Sequence, residues 1–281
     1  MSNSTTFQNA MAAAGLAPAK AIDLQPDGKI HRYRVTGDKA GSVNGWYVLH
    51  DGAVGFGSFG SWKTSESHTW REASTKPLTP AELADINRRT RAMWQAQATE
   101  RQAVQAAAQN KALRLWRTAR PATHAHPYLV KKQVNSYGLR QLREMLLVPV
   151  RDQGGVLHTL QFIGSDGNKR FLTGGRISGC YCAIGRVSDT LLLAEGFATA
   201  ATLHQATGHA AAACFSCGNL LAVAQALRGK FPSLRLVLCA DNDRATPGNP
   251  GLTKATEAAR AVGGWLAVPV FEPEAHSCPV L

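Results

Sequence analysis

Several features that would assign a protein to a large class are missing from this sequence. No apolar run approaches the roughly eighteen residues that a membrane-spanning helix needs. Residues 1–6 have neither the basic start nor the apolar stretch of a signal peptide. No Gly-x-x-x-x-Gly-Lys-Ser/Thr phosphate loop is present. These absences exclude a membrane-spanning protein and a P-loop nucleotide site, and they favour a cytoplasmic location.

Cysteine is confined to the last part of the chain. The six are Cys180, Cys182, Cys214, Cys217, Cys239 and Cys278. The first four could be drawn as a four-thiolate zinc site. Both pairs lie in apolar, strand-like sequence, where free cysteine behaves as a small hydrophobe. We therefore expect no zinc, and a cytosolic setting disfavours disulfides.

Acidic residues are scarce relative to basic ones. The chain has 19 Asp and Glu against 31 Lys and Arg, a net charge of +12, and its pI is about 9.8. Such a balance favours polyanionic partners, because binding to phosphates releases counterions. The clustering of the excess favours nucleic acid as the partner over a role in solubility alone.

The first seventy-five residues are rich in turn signals and aromatics. A short helix is predicted over residues 6–16, with Phe7, Met11 and Leu16 as its apolar positions. Asp27-Gly28, Asn44-Gly45 and Asp51-Gly52 resemble hairpin turns, so a small antiparallel β module follows. Its aromatics either build the core of the module or stack on single-stranded nucleic acid. If they stack on nucleic acid, the cations that would pair with its phosphates are Arg32, Arg34 and Lys63.

A long helix is predicted next. Thr79-Pro80-Ala81-Glu82 combines a capping residue, a first-turn proline and a capping-box acid. The following residues, up to about Ala119, contain no Gly or Pro, which predicts a helix of about 60 Å. Its middle has few large apolar residues and many arginines. This pattern indicates either a solvated linker or a basic strut that touches nucleic acid.

A basic module follows a short linker at residues 121–126. Antiparallel strands are predicted at residues 146–150, 157–163 and 169–172, with turns at residues 152–155 and 165–168. The cations of this module are Lys131, Lys132, Arg140, Arg143, Arg151, Lys169, Arg170 and Arg176.

Acidic residues end two buried-type strands of the last module. Residues 191–194 lead to Glu195, and residues 234–240 lead to Asp241 and Asp243. Helical patterns alternate with these strands, which predicts a parallel sheet of about four strands with flanking helices. Ligands bind beyond the carboxyl ends of such strands. Carboxylates at two strand ends therefore predict a shared divalent-metal site, since Mg²⁺ prefers hard oxygen ligands.

These residue types suit phosphoryl transfer. Two carboxylates one residue apart can face one ion, and Glu195 can hold an ion or move a proton. Gly196 leaves room for a phosphate beside the backbone. The helix that begins after it favours anions.

The Glu-Gly turn followed by an Asp-x-Asp strand end resembles the Toprim domain of bacterial-type primases, topoisomerases and some nucleases. Glu195-Gly196-Phe197-Ala198-Thr199-Ala200 is similar to the EGYATA motif of primases from satellite phages and plasmids, the satellite-phage alpha-protein-like type. Phe197 in place of Tyr is the single departure. Earlier segments of the chain also resemble this group of primases. The basic module that precedes Toprim in them is similar to His126-Pro127-Tyr128-Leu129, Leu160-Gln161-Phe162-Ile163 and Lys169-Arg170-Phe171-Leu172, and their N-terminal part is similar to Gly45-Trp46-Tyr47-Val48.

This resemblance implies an arrangement of four parts. They are a β-rich module over residues 1–75, a long basic helix or linker over residues 76–120, a basic primase-type α+β module over residues 121–186, and an α/β Toprim domain over residues 187–281.

The resemblance also implies a set of site residues. Glu195 becomes the catalytic or metal-organising carboxylate, and Asp241 and Asp243 become ligands of Mg²⁺ or Mn²⁺. Lys169 and Arg170 match basic positions that hold the incoming nucleotide or the template. Further candidates for contacts with nucleotide or DNA are Lys131, Lys132, Arg151, Thr199, Asn219 and Lys254. For the last three, helix packing or a solvated surface is the alternative.

The implied function is that of a DNA primase in phage, plasmid or mobile-element replication. Such an enzyme makes short RNA primers on single-stranded DNA from ribonucleoside triphosphates, in some cases with a separate replicative helicase. Two features depart from the family: no cysteine precedes Cys180 to form a zinc-binding module, and no acidic motif like DFNDL follows the fourth strand. Glu272 and Glu274 are the nearest acids, so weakened activity is expected.

Two alternatives remain at this point. One is a non-catalytic single-stranded nucleic-acid-binding accessory protein, and the other is a Toprim nuclease. A topoisomerase is disfavoured because the tyrosines lie in small modules.

Overall fold

The computed structural model describes residues 3–51, 54–64, 66–72 and 79–270. The chain divides into two compact units, one ending at Thr99 and the other beginning at Glu100. The division falls inside the long helix, and the four-part arrangement expected from the sequence stays a prediction. None of the described helices is long and apolar enough to cross a membrane.

The amino-terminal unit is a four-stranded antiparallel sheet with a helix on one face. The sheet has the order β1-β2-β3-β4. Its elements are α1 (Asn3–Ala13), β1 (His31–Tyr33), β2 (Gly45–His50), β3 (Phe56–Ser61) and β4 (Ser67–Arg71). Phe7 and Met11 of α1 are fully buried against Tyr47 and Phe59 of the sheet.

Helix α1 ends before Leu16, earlier than predicted. Gly15 adopts a left-handed backbone with φ of 73°, and the N–H of Leu16 donates to the carbonyl of Met11. This is the hydrogen bond of a glycine-terminated helix. Leu16 remains buried, as its apolar pattern predicts, but it lies outside the helix.

One predicted turn is wrong. Asn44-Gly45 is not a hairpin turn, because Gly45 is the first residue of β2 and pairs with Tyr33. A Cβ at Gly45 would lie 2.6 Å from the Tyr33 ring. The glycine therefore serves close packing across the sheet. In the Asp51-Gly52 pair, Gly52 lies outside the described residues.

The long helix α2 spans Pro80–Thr118. The capping box is present: Glu82 accepts from the backbone N–H of Thr79 at 2.8 Å, and the N–H of Glu82 donates to Thr79 Oγ1 at 3.3 Å. Within the carboxy-terminal unit, Ala108 and Ala112 of α2 are buried. Most of the described residues over 95–108 of α2 are exposed, as expected for the middle of this helix.

The carboxy-terminal unit contains an antiparallel sheet with the order β5-β6-β7-β8-β9. Its elements, with one short helix, are β5 (Arg120–Pro121), α3 (Pro127–Lys132), β6 (Arg140–Leu142), β7 (Met145–Arg151), β8 (Leu157–Ile163) and β9 (Lys169–Phe171). The three strands predicted from the sequence correspond to β7, β8 and β9. Strands β5 and β6 and helix α3 were not predicted.

The second sheet of this unit has the order β10-β12-β11-β13-β14. Its elements are β10 (Cys182–Ile184), β11 (Thr190–Ala194), α4 (Phe197–Thr207), β12 (Ala210–Ala213), α5 (Cys217–Lys230), β13 (Arg235–Cys239), α6 (Pro250–Val262) and β14 (Trp265–Ala267). The last four strands in the order are parallel, and β10 joins β12 antiparallel. The sheet therefore has the four parallel strands expected and one antiparallel strand that was not.

The two sheets of the carboxy-terminal unit share a hydrophobic core. Tyr128, Leu146 and Ile163 from the antiparallel sheet and its helix pack in one cluster with Leu192 and Ala200 of the parallel sheet and its helix. At the edge, Phe171 of β9 meets Phe215, with ring centroids 5.6 Å apart. This packing fixes β9 next to the loops at the carboxyl ends of the parallel strands.

The cysteines lie mostly in these cores. Cys180, Cys182, Cys214 and Cys239 are buried, and Cys217 is partly exposed. Burial raises the pKa of Cys180 to about 11 and that of Cys182 to about 12. Zinc binds the thiolate, so these environments favour the hydrophobic role over a metal-binding one.

Candidate active site

Strand register brings Glu195 and Asp241 to one edge of the parallel sheet. Strands β11 and β13 are neighbours, and Leu193 lies opposite Leu238. Glu195 follows the end of β11, and Asp241 follows the end of β13 by one further residue. Both acids therefore emerge at the same carboxyl edge, as the alternating pattern of strands and helices predicts.

The carboxyl group of Glu195 lies in an unusual environment. Its Oε1 atom is buried and has no hydrogen-bond partner among the residues that the structure describes. Burial, then the charges of Asp241 and Asp243, raise the pKa of Glu195 to about 7. The backbone N–H of Cys217, at the start of α5, donates to the carboxylate and partly offsets this rise.

Asp241 experiences the same crowding of negative charge. Burial and the nearby Asp243 raise its pKa, and the ammonium of Lys169 counteracts the rise. The three carboxylates thus lie within electrostatic reach of one another. Like charges in a partly buried site destabilise each other, and a bound cation would relieve that repulsion.

An asparagine that the sequence analysis did not select organises the acidic loop. Asn249 Oδ1 accepts from the backbone N–H of Asp243 at 2.9 Å, and Asn249 Nδ2 donates to Asn242 Oδ1 at 2.8 Å. The same Oδ1 caps α6 through the N–H of Leu252. The Asn-Pro pair before a helix is a recognised capping signal, so this role could have been found from the sequence.

Gly251, in the first turn of α6, lies directly against the acidic loop. A Cβ at this position would collide with the carbonyl oxygen of Asp241 and lie 3.0 Å from Asp243 Oδ2. Only glycine lets the helix approach the loop so closely. By contrast, a Cβ at Gly196 would meet only Thr199 Oγ1, at 3.7 Å. The backbone at Gly196, just before α4, is therefore uncrowded, and an anion site there stays a prediction.

Of the basic candidates, the structure brings Lys169 to the acidic edge. Lys169 interacts electrostatically with both Asp241 and Lys132. Its ammonium lies 5.8 Å from the centre of the Tyr128 ring. Removal of solvent and the charge of Lys132 lower the pKa of Lys169. Lys131 and Lys132 are exposed at the end of α3.

Arg170 and Arg151 occupy the opposite side of the antiparallel sheet. The guanidinium of Arg170 lies 5.0 Å from the centre of the Phe162 ring. That of Arg151 lies 5.7 Å from the Trp116 ring and donates to the carbonyl of Gly155 at 2.8 Å. Successive side chains of a strand point to opposite faces, so Lys169 and Arg170 cannot both face the acidic edge. Of the two, Lys169 is the one that lies beside Asp241, and a contact of Arg170 with the template stays a prediction.

Asn219 has a structural role. Its Nδ2 donates to the carbonyls of Cys180 and Cys214 at 3.0 and 2.9 Å, and its Oδ1 accepts from the N–H of Gly179 at 2.9 Å. The side chain is buried and both of its donors are used. The structure thus favours packing, the alternative to a nucleotide contact: Asn219 ties the start of α5 to the residues before β10.

Thr199 and Lys254 are surface residues near the acidic edge. Thr199 is exposed in the first turn of α4. Lys254 of α6 pairs with Glu257 at 2.8 Å, and it lies close enough to Cys217 for an electrostatic interaction. Both remain predicted contacts.

A divalent cation fits the chemistry of this edge only with help from other ligands. Among the described residues, no three His, Cys, Asp or Glu side chains are arranged to hold an ion together. Mg²⁺ commonly uses one or two carboxylates and completes its shell with water and substrate phosphates. The unpartnered Oε1 of Glu195 and the crowded carboxylates suit such an ion. Glu272 and Glu274 lie outside the described residues.

Part of the chain matches a known domain family. Residues 190–277 match the model of the Toprim domain. Two curated Escherichia coli proteins, both called DNA primase TraC, are similar to the chain. One is 38% identical over 265 residues, which cover 90% of this chain and 25% of the relative. The other is 34% identical over 288 residues, covering 97% and 20%. The chain thus spans a quarter or less of the length of these relatives.

The chain is also similar to several solved structures, among them the following two. The primase fragment of the bacteriophage T7 primase-helicase protein is 14% identical, with a TM-score of 0.39 over 51% of this chain and 64% of that one. The DnaG primase catalytic domain bound to single-stranded DNA is 20% identical, with a TM-score of 0.35 over 49% and 46%.

The expectation of an α/β Toprim domain is confirmed by the match over residues 190–277. The narrower likeness to primases of the satellite-phage type stays a prediction.

Proposed function

We propose that this chain carries out the nucleotidyl-transfer chemistry of a DNA primase, in the replication of a phage, plasmid or other mobile element. The substrates are a single-stranded DNA template and ribonucleoside triphosphates, and a separate helicase is a candidate partner. The observation that carries the proposal is that three carboxylates, those of Glu195, Asp241 and Asp243, lie close enough at one edge of the sheet to raise the pKa of Glu195, with Lys169 beside Asp241. The similarity to DNA primase TraC over nearly the whole chain supports it.

The residues of this edge suit the reaction in different ways. Glu195, with a pKa of about 7, suits the transfer of a proton from an attacking 3′-hydroxyl at neutral pH. Lys169 supplies positive charge next to Asp241, where a nucleotide phosphate would add negative charge. The open start of α4 at Gly196 offers unpaired backbone N–H groups to a phosphate.

Asp241 and Asp243, with Glu195, are the residues that would hold Mg²⁺ or Mn²⁺. When bound, the ion would shield the phosphate charge and activate the attacking hydroxyl.

Primer synthesis on a single-stranded template with labelled ribonucleotides tests the proposal. Glu195→Gln and Asp241→Asn remove one ionised carboxylate each and keep similar shapes. We expect each to lower synthesis by at least about 100-fold, the loss typical of a group that acts in the transition state. Full activity in both variants would reject a catalytic role for this edge.

A second candidate is a non-catalytic, single-stranded nucleic-acid-binding accessory protein. It is favoured by the net charge of +12 and by the absence, within the described ranges, of a ready-made three-residue metal cluster. Binding of single-stranded DNA that persists in EDTA, with no nucleotide incorporated under any metal, would favour this candidate. A Toprim nuclease remains a further alternative, distinguished by metal-dependent cleavage of the template.

A further inference from the structure

The amino-terminal unit has an aromatic surface that the proposed chemistry does not use. Trp62 and Trp94 are 40% and 36% exposed, and Trp46, which is 4% exposed, lies between them. The ring centroids of Trp46 and Trp62 are 6.0 Å apart, and those of Trp46 and Trp94 are 6.2 Å apart. We call Arg32, Trp46, Trp62, Lys63 and Trp94 the tryptophan surface.

The sheet is built to hold the central indole. Trp46 of β2 lies opposite Gly60 of β3, and a Cβ at Gly60 would come within 2.8 Å of the Trp46 ring. On its other side, Trp46 lies opposite Arg32 of β1. The missing side chain of Gly60 thus makes room for a tryptophan. Core packing explains why Trp46 is buried, but it does not explain why the indoles of Trp62 and Trp94 are partly exposed.

Positive charge lies on this surface. The guanidinium of Arg32 is 5.7 Å from the centre of the Trp62 ring, and Arg32 is exposed. Lys63 pairs with Asp38 at 2.9 Å, but the Lys63 side chain is 61% exposed and that of Asp38 only 6%. The second carboxylate oxygen of Asp38 accepts from Asn44. The pair therefore presents its cation to solvent and keeps its anion inside.

We propose that the tryptophan surface binds single-stranded nucleic acid by stacking unpaired bases on Trp62 and Trp94. Exposed indoles flanked by cations are the combination that single-strand-binding sites use, because every base has a flat π-face and every nucleotide a phosphate. Arg32 contributes through its contact with the Trp62 ring and by pairing with a phosphate. A duplex has no unpaired base to offer, so the surface discriminates against it.

This assignment decides between two interpretations of the module that its sequence leaves open. Phe7, Tyr47, Phe59 and Trp70 form the core on the face that packs against α1. The stacking residues belong to the other face. Of the three cations suggested by the sequence, Arg32 lies over the Trp62 ring and Lys63 directly follows Trp62 in the chain. Among the described interactions, neither Lys63 nor Arg34 contacts a ring of the surface.

Fluorescence anisotropy of a labelled oligothymidylate of about 16 nucleotides tests the proposal with the whole chain in EDTA, where metal-dependent chemistry is silent. We expect Trp62→Ala to weaken binding about 10-fold and Trp62→Phe to restore most of the affinity, since phenylalanine keeps a stacking ring. Trp265→Ala is the matched control, because Trp265 is 66% exposed and lies in the other unit. We expect this variant to bind the oligonucleotide with wild-type affinity. We expect Arg32→Gln to make the slope of log affinity against log salt concentration shallower by about the amount that one phosphate contact contributes.

Photocrosslinking of the unaltered chain with a 5-iodouracil oligonucleotide keeps the test independent of folding in the variants. Crosslinks to the peptides that carry Trp62 or Trp94 support the proposal. Crosslinks found only elsewhere, wild-type affinity in Trp62→Ala, or equal competition by a duplex of the same length would overturn it. These outcomes leave the carboxylate chemistry unaffected, because none of them depends on Glu195 or Asp241.

Discussion

Lys169 and Asp241 come from different sheets and interact electrostatically at the carboxyl edge of the parallel sheet. The ammonium lowers the pKa of Asp241, although burial and Asp243 leave that pKa raised overall. The contact exists because the two sheets share a core, which brings β9 beside the acidic loops. Positive charge and carboxylates are thus assembled by tertiary packing between segments more than seventy residues apart.

Lys169→Met should impair primer synthesis much more than Arg170→Met. Lys169 faces the acidic edge, and its loss would remove a charged contact with a phosphate, worth about 10- to 100-fold in activity. Arg170 is the matched control, since it is adjacent, exposed and turned towards Phe162. Nucleotide incorporation at limiting triphosphate concentration measures the difference. A greater loss in Arg170→Met would mean that the strand faces are assigned the wrong way round.

The stability of the metal-free protein should depend on Glu195 and pH. Its pKa in the folded protein, about 7, lies above the ordinary value of 4.5. Ionisation is therefore disfavoured by folding, so this group lowers stability as pH rises from about 4.5 to 7, with no further loss above that. We expect Glu195→Gln to raise the free energy of unfolding near pH 8 by about 1 kcal/mol, a value reduced because the carboxyl is only half-buried.

Thermal unfolding in EDTA near pH 5 and near pH 8 measures this effect. Glu195→Gln and wild type should differ little at the lower pH. A difference in stability between wild type and Glu195→Gln that is the same near pH 5 and near pH 8 would contradict a raised pKa of Glu195.

Divalent ions should stabilise the protein through the same carboxylates. An ion that binds only the folded state adds about 2.7 kcal/mol at a concentration one hundred times its dissociation constant. The stabilisation by Mg²⁺ or Mn²⁺ should grow as pH rises through about 7, because protons compete for Glu195. Asp241→Asn should reduce it, and Asp189→Asn, an exposed acid before β11, serves as the control. An unchanged melting temperature on adding either ion would argue against a metal site here.

Gly251→Ala should damage both stability and activity. The added methyl group would collide with the carbonyl of Asp241, and we expect a loss of about 1–3 kcal/mol with displacement of the acidic loop. Gly218→Ala is a matched control in the first turn of α5, where a Cβ would meet nothing within 4 Å. Urea unfolding and primer synthesis of the two variants should diverge. Equal stability would show that α6 can move away from the loop without cost.

Asn249→Ala should reduce activity more than Asn249→Asp. Alanine removes the acceptor that holds the N–H of Asp243 and caps α6, at about 1 kcal/mol for the cap. Aspartate keeps that acceptor but loses the donor to Asn242. Primer synthesis, with circular dichroism to verify folding, measures both. If the two variants were equally active, the loop would not depend on the Asn249 acceptor.

The acidic edge could be predicted from the sequence, whereas the choice between Lys169 and Arg170 as its basic partner could not. Glu195 and Asp241 each follow an apolar run of strand length, and parallel strands end at a common edge, so local pattern was enough. Lys169 and Arg170 are adjacent cations on a short strand. Which of them faces the acids depends on how β9 packs, and periodicity alone cannot specify that. The packing role of Asn219 is hidden for a similar reason, because two of the backbone groups that it binds, in Gly179 and Cys180, come from residues 40 and 39 positions earlier.

The remaining errors have local causes. Strand β10 is only three residues long; the sequence around Cys180 and Cys182 looks strand-like, but nothing local shows that it joins the parallel sheet at an antiparallel edge. Gly45 was interpreted as a turn residue because glycine serves both turns and close packing, and only the Tyr33 ring distinguishes the two. Asn249, by contrast, carried a capping signal that the sequence analysis did not use.

Primer synthesis by the wild-type chain and by Glu195→Gln, on single-stranded DNA with Mg²⁺ or Mn²⁺, tests the central claim most directly. Short RNA products that depend on the template and the ion, reduced at least about 100-fold in the variant while its binding of single-stranded DNA stays intact, are the predicted result. Equal synthesis by both proteins, or template binding without any incorporation by the wild type, would contradict the assignment of catalysis to this edge.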